Sequence, residues 1–508
     1  MEGIDHSKST GWDSIPPKII KIAATELSVP IANLVNASFK TSCFPRDLKK
    51  AEVLPLFKSK NNLDRQNYRP VSVLPCISKL FERVYYNQLY DHFNCILSVW
   101  LAAFRRRYGC NHVLSRLLEN TKLALDGKEY VGLILMDLSK AFDCLPHDLL
   151  LNKLYTYGLN KDACVLIKSY LSNRSQRVKI GPTKSDWLQL RRGVPQGSVL
   201  GPLLFNIFFN DFFYSLSDNC VVYNYADDNT LSYSHKDIGS LKDRLEMCAQ
   251  MSLDWFNNNN MKANPDKFQA IIFSPKHETV CNVFHINGTT ITSLESVKLL
   301  GVTIDEKLNF DAHISMICSR ASRQLNALQR ISKYLDRKGR VGIHKAFIMS
   351  NFRYCSDVWH FCSRKSTYKL EKINKRALRI VENNYLATYT DLLELAKCSS
   401  LYLDRIKSIA FETFKYIHGI NPQFLSSTFE SMEHHYETRG CHNLKIPKVS
   451  TEKNGKQSLG FEGVKIWNCL PDYIKQSCSI EDLKINLKYW DGPQCVCGNC
   501  IQCMIPRL

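Results

Sequence analysis

Cys220-Val-Val-Tyr-Asn-Tyr-Ala-Asp-Asp-Asn-Thr-Leu-Ser-Tyr-Ser234 places two adjacent carboxylates, Asp227 and Asp228, between short runs rich in valine, tyrosine and leucine. The flanks have the composition of strands and Ala-Asp-Asp-Asn has that of a turn, so the stretch predicts a β-hairpin with acids at its tip. Adjacent like charges repel, whereas Mg²⁺ prefers such hard oxygen ligands. The stretch alone leaves two interpretations open, a metal-binding platform or an ordinary solvated acidic turn.

A second acid lies at the end of another predicted strand. Glu129-Tyr-Val-Gly-Leu-Ile-Leu-Met-Asp137 is nearly all apolar before its last residue, and the chain then leaves into a predicted helix through Asp143. A carboxylate that ends a buried strand is costly unless a cation or hydrogen bonds satisfy it. If this strand lies beside the hairpin, Asp137 and Asp227 would face each other across one site. Two metal ions about 4 Å apart would there activate a 3′-hydroxyl and stabilise a leaving pyrophosphate.

Composition narrows the class of protein. The 508 residues suffice for two or three domains, and 44% hydrophobic with 23% charged residues is typical of a globular chain. Lys and Arg total 67 against 48 Asp and Glu, a net charge of +19 that favours a nucleic-acid partner over generic basicity.

Cysteines and the N-terminus indicate the compartment. Most of the 20 cysteines, such as Cys76, Cys95 and Cys164, stand singly in apolar segments, which predicts reduced, buried thiols. The start of the chain lacks the features of a secretory signal, and no apolar run reaches the length of a membrane span. We therefore predict a soluble intracellular protein, nuclear or cytoplasmic, with no membrane contact.

Eight motifs occur in a specific order. They are Thr10-Gly-Trp-Asp-Ser-Ile-Pro-Pro17, Asn67-Tyr-Arg-Pro-Val-Ser-Val-Leu-Pro75, Phe104-Arg105, Asp137 to Asp143, Gly193-Val-Pro-Gln-Gly-Ser-Val-Leu-Gly-Pro202, Tyr225-Ala-Asp-Asp228, Asn264-Pro-Asp-Lys267 and Leu299-Leu-Gly-Val302. In this order the chain resembles the reverse transcriptases of non-LTR (LINE-type, jockey-like) retrotransposons. The resemblance implies an α+β right-hand polymerase fold with fingers at 1–125, a palm with an antiparallel sheet at 126–305 and a helical thumb at 306–400. The role of the extension at 401–508 stays open.

The same resemblance implies an RNA-directed DNA polymerase that extends a DNA primer with dNTPs on an RNA template. Asp137 and Asp227 would hold two Mg²⁺ ions, with Mn²⁺ as an alternative, and Asp228 would contribute charge or a secondary contact. Lys267 would protonate the departing pyrophosphate as a general acid, although a lysine at a strand edge explains it equally well.

Further residues would contact the incoming nucleotide. By resemblance, Arg69 and Arg105 lie near its triphosphate, where guanidinium groups match phosphate oxygens, and Phe142 lies against its sugar, where the ring would clash with a 2′-hydroxyl. Gln196 and Gly197 lie in the loop beneath it. The residues alone allow surface arginines, a core phenylalanine and a plain Gly/Pro loop. Asp143 and His147 also match the family pattern, with helix capping or packing as good an explanation as any chemical role.

Two segments are expected to contact nucleic acid. Ser296–Ile304, which includes Leu300 and Gly301, resembles the hairpin that grips the primer end. Residues 369–381 predict an amphipathic helix whose basic residues would meet the phosphates of a primer–template duplex, a solvated face being the alternative. These basic residues are Lys369, Lys372, Arg376 and Arg379.

The chain departs from the family pattern in two places. Relatives usually carry glycine where this chain has Ala103, and the early start predicts a truncated copy without the endonuclease that complete elements encode.

Pro30 is expected to end a helix that starts near Pro17 and to open a second one. Zinc binding by the four cysteines of the tail stays open, because their spacing differs from usual structural sites. They are Cys495, Cys497, Cys500 and Cys503.

Two rival hypotheses stay open at this stage. The first is a catalytically silent nucleic-acid-binding remnant of a mobile element, which the truncated start favours and the intact acids disfavour. The second is an intron-encoded maturase or a telomerase-like polymerase, which would share the palm but fits the finger and thumb motifs less well.

Overall fold

The computed structural model describes residues 1–58, 61–138, 141–216, 219–276, 279–430, 443–493 and 505, so the four tail cysteines lie outside the described residues. The chain divides into two compact units, each built from separate stretches. The first contains Met1–Phe104, Asp137–Asn219 and Cys248–Pro265, and the second contains Arg105–Met136, Cys220–Met247 and Asp266–Leu508. Helices and sheets mix along the chain, and the predicted α+β class is confirmed.

The described residues form thirteen strands. They are β1 (Lys50–Phe57), β2 (Tyr68–Val73), β3 (Tyr130–Asp137), β4 (Arg174–Ile180), β5 (Thr183–Lys184), β6 (Leu188–Leu190), β7 (Val221–Tyr225), β8 (Asp228–His235), β9 (Gln269–Phe273), β10 (Val283–Ile286), β11 (Thr289–Thr292), β12 (Ser296–Leu299) and β13 (Val302–Asp305). The strand predictions for the 50s, 130s, 220s, 270s and 300 regions are confirmed.

The same residues form nineteen α-helices. They are α1 (Pro17–Ile22), α2 (Ala24–Thr41), α3 (Cys76–Phe93), α4 (Cys110–Asp126), α5 (Ala141–Cys144), α6 (His147–Thr156), α7 (Lys161–Leu171), α8 (Gly201–Phe209), α9 (Phe212–Leu216), α10 (Ile238–Asn258), α11 (Asp311–Ile331), α12 (Arg337–Ile343), α13 (Met349–Arg353), α14 (Arg364–Glu382), α15 (Tyr389–Ala396), α16 (Leu401–Ile417), α17 (Leu459–Asn468), α18 (Asp472–Lys475) and α19 (Ile480–Tyr489). From Asp311 onward the elements are helical, as expected for the region assigned to a thumb.

The expected helix break at Pro30 is wrong. Pro30 lies inside α2, and the break falls instead at Ala23, where the backbone leaves the helical region. A proline removes one hydrogen bond to the carbonyl four residues earlier, here that of Glu26. Both residues are exposed, so water can satisfy that carbonyl and the helix continues.

A buried carboxylate holds together the sheet of the first unit, in which β1 pairs antiparallel with β2 and parallel with β4. Glu52 on β1 is 2% exposed. Its partners are Arg177 at 2.6 Å and Lys179 and Lys184 at 3.1 Å each. Burial alone would raise the pKa of Glu52, but the hydrogen bonds from these three cations outweigh burial and lower the pKa to about 2.

The sheet of the second unit has the order β7–β8–β3–β9. β7 and β8 form an antiparallel hairpin, and β3 pairs antiparallel with β9. Leu133 and Ile134 of β3 are fully buried, as the apolar run predicts. On the same strand, a Cβ at Gly132 would lie 2.5 Å from Leu245 Cδ1 and 2.8 Å from Leu241 Cδ2, so α10 packs closely over this glycine.

Three buried glutamates cap helices that are distant in sequence. Glu82 accepts the N–H groups of Val199 and Leu200 ahead of α8, Glu119 those of Leu459 and Gly460 at α17, and Glu371 those of Leu401 and Tyr402 at α16, all between 2.5 and 3.3 Å. A helix leaves these first N–H groups unsatisfied, and its positive end favours an acid. Burial raises the pKa of each glutamate, and the backbone hydrogen bonds oppose that rise.

Cysteine placement matches the sequence-based expectation only in part. The fifteen cysteines in the described part of the chain are free thiols. Cys248, Cys355 and Cys362 are buried, but Cys95 is exposed, because the turn after α3 turns its side chain toward solvent. In the described ranges, no helix combines the length and the apolar character that crossing a membrane requires.

We predict that Glu52→Gln lowers the free energy of unfolding near pH 7 and flattens its dependence on acid pH. The folded-state pKa is about 2, and an unfolded glutamate titrates near 4.3, so the ionised group stabilises the fold above that pH. Its contribution, on the order of 2 kcal/mol, is lost as the pH falls from about 4.3 toward 2. Urea denaturation near pH 7, 5 and 3 measures the effect. The exposed Glu26 provides a matched control, Glu26→Gln, and equal pH profiles for wild type and Glu52→Gln would contradict the assignment.

Candidate active site

The hairpin that carries the acids has a two-residue turn, Ala226–Asp227, with Ala226 in the left-handed region at φ 58°. The sequence predicts a longer turn through Asn229, but Asp228 already pairs with Tyr225 as the first residue of β8. Asp227 is half-buried and Asp228 is exposed. The two carboxylates therefore leave the backbone from different local structures, one from the turn and one from a strand.

Two buried asparagines fix this turn, and sequence reasoning missed both. Asn224 Nδ2 donates to the Ala226 carbonyl and to Asn229 Oδ1, each at 2.9 Å, and Asn229 Nδ2 donates to the Asp227 carbonyl at 3.2 Å. Asn224 is 0% and Asn229 1% exposed. The sequence did contain a signal for them, since both asparagines stand in strands rich in valine and tyrosine. A buried amide needs hydrogen-bond partners, so a polar residue in such a strand indicates a specific contact.

β3 and β8 are neighbours in the sheet, and a contact between their ends shows that they run in opposite directions. Ser234, near the end of β8, donates to Glu129, which directly precedes β3, at 2.7 Å. The start of β3 therefore lies beside the end of β8, and the last residues of β3 lie at the sheet end where β8 begins. Asp137 closes β3 and is half-buried, and its carboxylate forms no ion pair or hydrogen bond with any described residue.

This carboxylate fits a cation ligand, since a half-buried acid that lacks a partner among the described residues is otherwise unfavourable. The side chains as they stand do not form a complete cage. Across the described residues, no three His, Cys, Asp or Glu side chains group closely enough to hold a metal ion. The predicted two-metal site therefore stays a prediction.

In the first unit, hydrogen bonds fix the Gly/Pro loop at residues 193–202. Gln196 Nε2 donates to Asp143 Oδ1 at 2.9 Å, and the Gln196 carbonyl accepts from Ser72 N at 2.7 Å. His147 Nε2 donates to the Gly193 carbonyl at 2.8 Å. These contacts give Asp143 and His147 the structural role that the sequence left open.

Backbone conformation and close packing both require glycine at position 197 of that loop. Its φ of 125° lies outside the range of most side chains, and a Cβ there would lie 2.5 Å from the Ser72 carbonyl. The loop thus approaches β2 backbone to backbone.

Phe142 packs against two other rings in the first unit. Its centroid lies 4.6 Å from that of Phe205 and 5.8 Å from that of Phe104. Ala103, the departure from the family pattern, is 1% exposed and accepts from Asn206 Nδ2 at 2.8 Å. The positive φ angle of this loop falls on Phe104 and not on Ala103, so the position does not require glycine.

The other residues predicted to act on the nucleotide differ in the exposure of their side chains. Arg69 is exposed on β2, and Lys267 is exposed in a short turn before β9. Arg105 is only 9% exposed, with its guanidinium 4.5 Å from the Tyr108 ring centre, which leaves little of it open to a triphosphate. The roles of all three stay predictions.

Leu300 and Gly301 form the turn between β12 and β13, both with positive φ. Tyr354, directly after α13, donates from its hydroxyl to the Leu300 carbonyl at 2.7 Å, and its ring would lie 3.2 Å from a Cβ at Gly301. No local sequence pattern predicts this anchor, because the two segments are 54 residues apart.

Helix α14 has the predicted amphipathic character. Leu370, Ala377 and Ile380 are at most 1% exposed. Lys369, Lys372 and Arg376 are exposed and Arg379 is half-buried. Arg376 also donates to Asn326 at 2.6 Å and Gln329 at 3.2 Å on α11, so part of its donor capacity is already used.

Comparison with known proteins agrees with the resemblance that the motif order indicates. Residues 57–304 match the family model described as reverse transcriptase (RNA-dependent DNA polymerase). The chain is 26% identical over 437 residues to a probable RNA-directed DNA polymerase from transposon BS of Drosophila melanogaster, covering 80% of this chain and 48% of the relative. It is also 26% identical over 385 residues to the RNA-directed DNA polymerase from mobile element jockey of the same species, covering 73% and 42%.

The chain spans about half the length of these curated relatives. Among solved structures, apo telomerase from Candida tropicalis aligns with a TM-score of 0.40 and 12% identity, over 73% of this chain and 64% of that chain. That similarity is too low to carry functional information. Members of the reverse transcriptase family generally use divalent metal ions.

The family match confirms the predicted right-hand polymerase class and the resemblance drawn from the motifs. Residues 57–304 match the reverse transcriptase family model, and most of the chain is similar to the RNA-directed DNA polymerases of transposon BS and of mobile element jockey, as the motif order predicts.

Proposed function

We propose that this chain extends a DNA 3′-hydroxyl with dNTPs on an RNA template. The observation that carries the proposal is the pairing of β3 with β8, because it supports a common location for the end of β3 and the start of β8. Carboxylates at that end of the sheet are the donor set that Mg²⁺ prefers.

Asp137 and Asp227 would hold the metal ions, with Asp228 contributing charge. Bound Mg²⁺ would supply the positive charge that activates the primer hydroxyl and stabilises the leaving pyrophosphate. The chain's own contribution is positioning, since the asparagine pair holds the Ala226–Asp227 turn in one conformation.

Residues of the first unit would bind the nucleotide. Arg69 is exposed and available for the triphosphate. Gln196, oriented by Asp143, would present its amide near the sugar, and Gly197 lets the backbone approach. Phe142, supported by Phe205, would exclude a 2′-hydroxyl. Two assignments have less support, Arg105 because it is buried and Lys267 because a strand-edge position explains it equally well.

Primer and template would contact the second unit. The Leu300–Gly301 turn, anchored by Tyr354, would hold the primer end, and Lys369, Lys372, Arg376 and Arg379 of α14 would meet duplex phosphates. The assignment of fingers to 1–125, palm to 126–305 and thumb to 306–400 belongs to this proposal. A silent nucleic-acid-binding remnant is the alternative, and a Mg²⁺-dependent primer-extension assay separates the two.

Asp227→Ala should reduce dNTP incorporation on poly(rA)/oligo(dT) by at least about 10³-fold, because it removes a metal ligand and the charge stabilisation it provides. RNA binding, measured by fluorescence anisotropy, should persist. Chelation of Mg²⁺ by EDTA should abolish incorporation by the wild type, and excess Mg²⁺ should restore it.

Asp243→Ala, which removes an exposed acid on α10, is the matched control and should extend normally. Full activity of Asp227→Ala would contradict the site assignment, and a wild type that binds RNA but never extends would favour the silent remnant.

Phe142→Ala should raise incorporation of rNTPs relative to dNTPs by about 10- to 100-fold, because the ring that would exclude the 2′-hydroxyl is gone. The ratio of kcat/KM for the two nucleotide classes measures the change. Phe205→Leu, which alters the supporting ring, should change the ratio less, and an unchanged ratio for Phe142→Ala would remove Phe142 from the sugar site.

Asp143→Leu should raise KM for dNTP by about tenfold with a smaller change in kcat, because a charge-assisted hydrogen bond that orients Gln196 contributes about 1.5–3 kcal/mol. Asp143→Asn keeps an acceptor oxygen and should recover most of the loss. If Asp143→Leu/Gln196→Leu shows the summed loss of the two single variants, Asp143 does not act through Gln196.

A further inference from the structure

A cavity of about 500 Å³ lies within the second unit, between α13, α16 and α19. We call it the C-terminal cavity. Its charged lining residues are Arg353, Arg405, Lys407, Lys484, Lys488 and Asp404. Five cations against one carboxylate leave a surplus of four positive charges around a small volume, and none of these residues belongs to the proposed polymerase site.

The cations of this cavity are held at a cost to the fold. Lys484 and Lys488 are exposed one turn apart on α19, a spacing at which like charges destabilise a helix. Arg405 is 1% exposed, and only its Nη2 donates, to Thr367 Oγ1 at 3.2 Å. Its Nε and Nη1 have no hydrogen-bond partner within the described part of the chain. Arg405 also lies near Glu371 and Asp404, and Lys407 near Asp404 and Asp491. A bound anion would offset the positive charge that these acids leave.

Aromatic rings line the same cavity. Phe352 is 2% exposed, whereas Phe411 is half-buried and presents part of its ring. Lys484 lies 5.6 Å from the Phe411 ring centre. An aromatic face beside cations is the combination that single-stranded nucleic acids recognise, with the base on the ring and the phosphate at the charges. The volume lies within the range of small-ligand pockets.

We propose that the C-terminal cavity binds one nucleotide of a single-stranded nucleic acid, with its phosphate at Lys484 and Lys488 and its base against Phe411. The proposal deepens the proposed function, on which it rests for the identity of the polyanion. An acidic peptide would satisfy the charges but offers no base to stack on the ring.

The test measures binding of a fluorescein-labelled oligo(U) RNA to the full 508-residue chain across a range of salt concentrations. Lys484→Ala/Lys488→Ala should reduce the slope of log K against log salt by about 0.7, because the two lysines share one phosphate and each neutralised phosphate contributes about 0.7 for a single strand. The matched control is Lys161→Ala/Lys168→Ala, which removes two exposed lysines from α7 and should leave the slope unchanged. Equal slopes for wild type and Lys484→Ala/Lys488→Ala, or an equal reduction in the control, would overturn the proposal.

A second variant tests the base contact. Phe411→Leu should weaken binding of oligo(U) at least about fivefold and leave binding of an abasic strand unchanged, because stacking needs a base. Equal loss for both strands, or tighter binding of an oligo-glutamate peptide than of oligo(U), would overturn it. A primer-extension assay on the same proteins distinguishes failure of the cavity proposal from failure of the polymerase proposal. A wild type without polymerase activity whose binding still depends on Lys484 and Lys488 would contradict the polymerase proposal alone.

Discussion

β3 and β8 lie side by side and run in opposite directions, and the assignment of Asp137 and Asp227 to one metal site depends on that pairing. Because a strand end is fixed by the hydrogen bonds of the whole strand, residue 137 cannot move away from the start of β8 without a change of register. Leu133 and Ile134 point to opposite faces of the sheet and are both fully buried, so β3 is packed on both sides. The apolar run of β3 therefore holds in the core the strand that ends at Asp137.

Much of the polar structure around the site serves to hold backbone rather than to contact substrate. The Asn224–Asn229 pair fixes a turn, Asp143 orients Gln196, and Tyr354 holds the turn after β12. Each pairs a side chain with a loop that would otherwise sample several conformations. Since positioning and electrostatic stabilisation carry phosphoryl-transfer chemistry, such rigid loops are what the proposed reaction needs.

Sequence reasoning succeeded where the signal was local. The hairpin of the 220s, the strand ending at Asp137 and the stripe of α14 follow from composition and spacing within about twenty residues, and the structure contains all three. Contacts between distant segments had no such signal, which is why Tyr354 and the glutamate caps went unnoticed. At Pro30 a local rule failed, because the rule ignores whether water can reach the freed carbonyl. Arg105 shows the same limit, since motif position does not reveal that its side chain is buried.

The cap that Glu119 provides to α17 joins residues 340 positions apart. On a ribosome, α4 emerges long before residue 459 is translated, so this carboxylate must stay hydrated until the last tenth of the chain arrives. α4 also donates from Asn120 to the Tyr223 hydroxyl on β7 at 2.6 Å. A premature stop codon upstream of residue 459 would therefore leave an acid without its helix next to the strand that leads into the Ala226–Asp227 turn. Loss of the C-terminal segment would thus affect the hairpin through α4, although the segment contributes no residue to the hairpin.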